Sequence, residues 1–269
     1  MSRGTGLDQD GLMLREGALE RVPEEFAPVV AAVRAGVTEA FGDALHSAYL
    51  YGSIPRGTAV AGRSDLDLLL ALRQEPTAAD RAAADRLLAS LDAGFPQIDG
   101  GGVLLFGVER LLSEAERYDL GWFVACLCTP LLGPDLAERL PRYRLDSELA
   151  RETNGDLADL LPRWRERAAA AGGDPAALRR LTRGAARKVV RTGFTLVMPR
   201  WQGWTSDLAQ SAEAFGHYYP DRAEQMRAVA RIAPAGTADP AALELLLERL
   251  GPWLAEEYTA RHGVRSPRP

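Results

Sequence analysis

The chain has 269 residues, 46% of them apolar, and a formal net charge of −5, enough apolar content for one large core or two moderate ones. The excess of acid argues against an extended nucleic-acid surface, since proteins that grip long phosphate backbones carry a basic face whose counterions are released on binding. A small, even cationic, acceptor suits such a charge better. Residues 1–25 mix charges and glycines without an apolar run of export or membrane length, so a cytoplasmic protein with no membrane partner is expected. Cys126 and Cys128 lie two apart inside FVACLCTPLL, a core pattern; two thiols do not complete a structural zinc centre.

Along the chain, residues 24–41 carry apolar side chains at helical spacing and predict a helix. The apolar and aromatic run Ala48, Tyr49, Leu50, Tyr51 predicts a strand that stops at Gly52 and Ser53. A loop follows, and Asp65 and Asp67 then open a second apolar run. Residues 77–92 form an amphipathic helix after Pro76, with Thr77 as its N-cap. Residues 94–102 form a glycine-rich connecting loop and residues 103–108 a further strand of a mixed sheet. From about residue 111 strand signals fade. Helical patterns cover 113–128, 146–170, 175–198, 205–216, 221–232 and 239–260, and the final residues RHGVRSPRP form a loose tail. The expected organisation is therefore an α+β domain over residues 1–112, a short mixed sheet with helices, followed by an all-α domain over 113–269.

Asp65 and Asp67 carry the chemistry. Carboxylates at i and i+2 on a strand share one face, where like charges a few ångströms apart repel and one pKa normally rises. A divalent cation removes that conflict, and Mg²⁺ takes one or two carboxylates together with water and phosphate oxygens. The Gly52-Ser53 turn supplies the complement, because glycine lets backbone approach a phosphate and a serine at a helix start offers hydroxyl and N–H groups to an anion. The competing reading makes the two acids the wet face of a half-buried strand. Leu66, Leu68, Leu69, Leu70, Ala71 and Leu72 oppose it, since they describe a strand buried on both sides.

Gly52-Ser53, then Arg56-Gly57, then Asp65-x-Asp67 resembles the signature of the DNA polymerase beta-like nucleotidyltransferase superfamily. The layout of a motif-bearing N-terminal domain before a helical one is most similar to the streptomycin/spectinomycin adenylyltransferases that modify aminoglycosides. The motif spans about 20 residues, so it points to the superfamily more than to a substrate. The resemblance implies two Mg²⁺ ions at Asp65 and Asp67, ATP or another nucleoside triphosphate as co-substrate, and Gly52, Ser53, Arg56 and Ser64 around the nucleotide. It also implies a third carboxylate on a later strand, acting as metal ligand or base. Asp99 is the candidate by position, although three glycines separate it from the expected strand, and Glu109 at that strand's far end is the second.

Arg183, Arg187 and Arg191 recur at helical spacing with Lys188 beside them, opposite Ala186, Val189, Val190, Phe194, Leu196 and Val197. Guanidinium forks match phosphate oxygens, and the resemblance makes this stripe a triphosphate contact; the alternative is a solvated face paired with acids such as Asp156 and Glu166. Trp201 and Trp204 either stack on a base or acceptor ring or lock a loop. His46, His217 and His262 are too scattered for a metal cluster, and the glycines at 100–102 lack the lysine of a P-loop. The expected activity is transfer of a nucleoside monophosphate to a hydroxyl of a small molecule, an aminoglycoside-like antibiotic first among them. The alternatives are transfer to a tRNA or partner protein, and a nucleotide-binding relative without chemistry.

Overall fold

The computed structural model describes residues 6–267, which form two compact units. One spans Leu14–Tyr143; the other joins the described residues up to Met13 with those from Arg144 onward.

In the first unit, helix α1 (Ala27–Phe41) leads into strand β1 (Leu45–Tyr51), a single helical turn α2 (Ser53–Arg56) and strand β2 (Ser64–Leu72). Helix α3 (Ala78–Gly94), strand β3 (Ile98–Gly107), a short helix α4 (Val108–Leu111) and strand β4 (Thr129–Leu132) complete it. The sheet order is β3-β2-β1-β4, with β1 antiparallel to both β2 and β4 and β2 parallel to β3. Side chains alternate along a strand, so Leu66, Leu68, Leu70 and Leu72 join Val29, Val33, Val37 and Leu91 of α1 and α3 in one core layer. Leu69 and Ala71 join Tyr49, Val124, Cys128 and Leu136 in the other. Burial on both faces explains the unbroken apolar run after Asp67, each leucine contributing about 1.5–3 kcal/mol.

Thr77 caps α3 as expected: its Oγ1 accepts the Asp80 N–H at 3.2 Å while the Asp80 carboxylate accepts the Thr77 N–H at 2.8 Å. Two regions of the first unit depart from the sequence-based expectation. The glycines at 100–102 belong to β3 rather than to a loop. Gly101 lies so close to the Leu66 carbonyl that a Cβ would overlap it, and the register slips by one residue around Asp99 and Gly100, where Gly100 has φ +78°. Residues 113–128 form two short π-helical segments, Arg117–Gly121 and Phe123–Leu127, in place of one α-helix. They lead into β4, which pairs with β1. The division expected between residues 112 and 113 therefore falls inside the first unit, because four residues, Thr129–Leu132, are too few to signal a strand alone.

The second unit is built from helices α5 (Ser147–Asn154), α6 (Leu157–Ala170), α7 (Pro175–Trp201), α8 (Leu208–Tyr218), α9 (Ala223–Ile232), α10 (Pro240–Glu244) and α11 (Leu250–His262). Trp201 and Trp204 each meet Phe194 edge to face, at 5.4 and 5.6 Å, which locks the segment after α7. The tail is held through Ser266: Arg265 pairs with Asp156 at 3.1 Å, and the Ser266 hydroxyl donates to Glu152 at 2.9 Å. No helix among the described residues is long and apolar enough to cross a membrane.

His262 closes α11 at 7% exposure. Its Nε2 donates to the Leu196 carbonyl at 3.1 Å, whereas Nδ1 is buried without a hydrogen-bond partner. Burial first, then the nearby arginines 261, 200 and 151, hold its pKa below the usual 6.5. The unfolded chain therefore takes up the proton before the folded one does, and stability falls as pH drops through about 6.5, levelling off below the depressed folded value. Melting curves between about pH 7.5 and pH 5 are expected to show this loss, with a flatter profile for His262→Phe over the same window.

Candidate active site

The centre of interest forms where β1 ends and β2 begins. The antiparallel register sets Tyr51 opposite Asp67, so the Gly52-Ser53 turn lies beside the acid pair. Gly52 adopts φ 81°, ψ −151°, a conformation reserved almost entirely for glycine. A Cβ on Gly52 would overlap Asp67 Oδ2. The glycine is thus required twice, once by its backbone angles and once by the carboxylate resting on it. Asp65 and Asp67 are both partly buried and alternate onto the face shared with Leu69 and Ala71. Tyr51, next to Gly52, meets Phe123 edge to face at 5.0 Å, which ties the turn to the second π-helical segment.

The loop from the turn to β2 is closed internally. Gly57 ends α2 in the left-handed region at φ 75°, and the Thr58 N–H donates to the Ser53 carbonyl at 3.0 Å. The Ser64 hydroxyl, expected near the nucleotide, accepts the Val60 N–H at 2.9 Å and so shapes this loop. Arg56 Nη1 lies 3.6 Å from Glu16 Oε2, a neighbour that no sequence spacing announces.

The two remaining expected acids lie toward opposite ends of β2. Asp99 occupies the slipped region of β3 between Ile98, which pairs with Ser64, and Gly101, which pairs with Leu66, and it is exposed. The β3 residue beside Asp67 is Gly102, with nothing within 4 Å of a Cβ built there. Glu109 lies in α4, beyond Gly107, which pairs with Leu72. It sits past the opposite end of β2, roughly 16 Å along the strand from Asp67 at ~3.3 Å per residue. Among the described residues no three His, Cys, Asp or Glu side chains are grouped to hold a metal ion, so Asp65, Asp67 and Asp99 do not form a three-acid site here. Two carboxylates on one strand face fit a single Mg²⁺ that takes its other ligands from phosphate and water.

Cys126 and Cys128, inside and just beyond the second π-helical segment, are buried, and burial pushes the Cys126 thiol up to about 12 and raises Cys128 as well. Neither is a nucleophile at neutral pH.

In the helical unit the basic stripe of α7 is engaged in part with its own surroundings. Arg183 Nε donates to the Pro234 carbonyl at 3.1 Å and Arg187 Nε to the Ala233 carbonyl at 3.2 Å. Lys188 meets Asp156 at 2.5 Å and Asn154 at 3.1 Å. Arg191 is exposed.

No protein-family model matches the chain, and no curated protein matches it by sequence. Among solved structures it is similar to the spectinomycin adenyltransferase AAD(9) from Enterococcus faecialis, determined with ATP and spectinomycin, with a TM-score of 0.50 and 14% identity over 86% of this chain and 98% of that one. At this identity the likeness establishes the fold, a small mixed four-stranded sheet with helices followed by a mainly helical region.

Proposed function

We propose that the protein is a nucleotidyltransferase that moves a nucleoside monophosphate, AMP from ATP in the first instance, to a hydroxyl of a small aminoglycoside-like acceptor. The observation that carries this reading is the seat of Asp67 on Gly52: it joins a pair of carboxylates to a turn whose backbone only glycine adopts. The fold shared with a protein solved with ATP and spectinomycin supports the choice of nucleotide and acceptor class.

In this reading Asp65 and Asp67 hold Mg²⁺, which when bound neutralises triphosphate charge and the repulsion between the two acids. Ser53 and the backbone of the turn receive the phosphates, and Arg56 adds a fixed positive charge. The acceptor oxygen attacks the α-phosphorus in line, its bond forms as the α–β bridging bond breaks, and pyrophosphate leaves. Asp99, the nearest acid along β3, is the proposed proton acceptor.

The test is incubation of the purified protein with Mg²⁺, each nucleoside triphosphate and a panel of aminoglycosides and spectinomycin. Acceptor-dependent pyrophosphate release is expected, with ATP preferred. Gly102 beside Asp67, where a carboxylate would complete the centre, favours a second reading, a nucleotide-binding protein without transfer chemistry. Tight Mg²⁺-dependent ATP binding with no pyrophosphate release from any acceptor is the outcome that selects it.

A further inference from the structure

We propose that Glu16 is a positioning residue for Arg56, holding one edge of the guanidinium so that its other N–H donors face the triphosphate. This deepens the reading above and rests on it, since it takes the Gly52–Gly57 turn as the phosphate site.

Glu16 belongs to a short segment clamped onto that turn from a distance in sequence that no local pattern links. The Glu16 N–H donates to the Cys126 carbonyl at 2.8 Å, the Ala18 N–H donates to the Pro55 carbonyl at 2.9 Å, and Arg21 Nη1 donates to the Glu16 carbonyl at 2.9 Å. Between them Gly17 is buried with no room for a side chain: a Cβ there would lie 2.5 Å from Thr129 Oγ1 and 3.1 Å from Pro55 Cβ. The backbone of residues 16–18 is therefore fixed against both α2 and the residues that lead into β4, all within one compact unit. That fixes the backbone from which the Glu16 carboxylate reaches Arg56.

The pair itself is loose. Arg56 Nη1 and Glu16 Oε2 are 3.6 Å apart, with the two side chains 29% and 19% exposed, and a partly exposed ion pair of this kind adds little to stability. Its bias on the orientation of Arg56 is bounded by that small energy. A guanidinium carries five N–H donors in a planar fork, so a carboxylate held at one edge restricts the rotamers of a long side chain and leaves other donors for a second anion. Ordering Arg56 before the nucleotide arrives lowers the entropic cost of binding. Arg56 ends the single turn that begins at Ser53, on the same short loop as the glycine under Asp67.

The experiment is equilibrium titration with ATP and Mg²⁺ of the full-length wild type, Glu16→Ala, Glu16→Gln, Arg56→Ala and the Glu16→Ala/Arg56→Ala double variant, each with its melting temperature. Glu16→Ala is expected to weaken ATP binding about threefold without lowering the melting temperature, and to have no further effect once Arg56 is alanine. Glu16→Gln, which keeps the shape of the side chain but removes its charge, is expected to show the same loss, because at 3.6 Å the contact is electrostatic rather than a hydrogen bond. Wild-type affinity in Glu16→Ala overturns the proposal. So does a loss that follows a fallen melting temperature and persists in the Arg56→Ala background, because Glu16 then acts only by holding the segment. A wild type that binds no nucleoside triphosphate removes the phosphate-site reading and this role together, whereas a binding wild type with an indifferent Glu16→Ala removes the role alone.

Discussion

Asp67→Asn is expected to lower nucleotidyl transfer by about a thousandfold or more, on the order of 4 kcal/mol of transition-state stabilisation, while the protein remains folded. The substitution keeps the size and shape of a side chain that is only partly buried and sits beside the turn. What it removes is charge. An amide oxygen is a poor substitute for a carboxylate in holding a divalent cation, and the developing charge on the transferring phosphoryl group then goes uncompensated. Asp65→Asn is expected to behave alike, since the two acids share a face of β2. Stability provides the control. Asparagine keeps the size of each side chain, so the melting temperature should stay near wild type in either variant. A well-folded double Asn variant that still transfers would remove the acid pair from the reaction.

Gly52→Ala is expected to damage both stability and transfer. At φ 81°, ψ −151° the backbone is strained for any residue with a Cβ, a cost of about 1–3 kcal/mol. The added methyl also lands on Asp67 Oδ2, so either the carboxylate swings away or the turn moves off β2. Displacement of a binding group by about 1 Å costs on the order of a hundredfold in rate, and that loss is expected on top of the lower unfolding midpoint in urea. Gly102→Ala is the matched comparison. Its Cβ meets nothing within 4 Å and its φ is not positive, so its stability and transfer are expected to stay near wild type. If Gly52→Ala keeps full transfer, the seat of Asp67 on the turn has no part in function.

Much of the sheet was legible because its signals are local. The run from Leu66 to Leu72 could only be a strand covered on both faces, and it is. Thr77 announced the start of α3 as its N-cap, and the structure adds Asp80 as its reciprocal partner. The glycines at 100–102 misled because glycine normally breaks a strand, whereas here Gly101 is required by the approach of the Leu66 carbonyl, a demand that comes from the neighbouring strand. Thr129–Leu132 was hidden for a similar reason: its strand character comes from pairing with β1. In the candidate site, Gly52, Ser53, Asp65 and Asp67 stood out as a motif within one stretch of chain. The environment of Arg56 did not, since Glu16 reaches it through tertiary clamping by Cys126 and Pro55. The arginines of α7 illustrate the opposite limit. Their spacing was plain, yet spacing alone does not reveal that Arg183 and Arg187 bond to the carbonyls of Pro234 and Ala233.

Transfer of a nucleoside monophosphate at the Asp65 and Asp67 pair can be followed with labelled ATP in the presence of Mg²⁺ and each acceptor. With the α-phosphate labelled, the wild type is expected to form labelled acceptor and Asp67→Asn to form none; with the γ-phosphate labelled, label is expected in pyrophosphate alone. Label from the γ-phosphate on the acceptor, or labelled acceptor formed equally by Asp67→Asn, would contradict it.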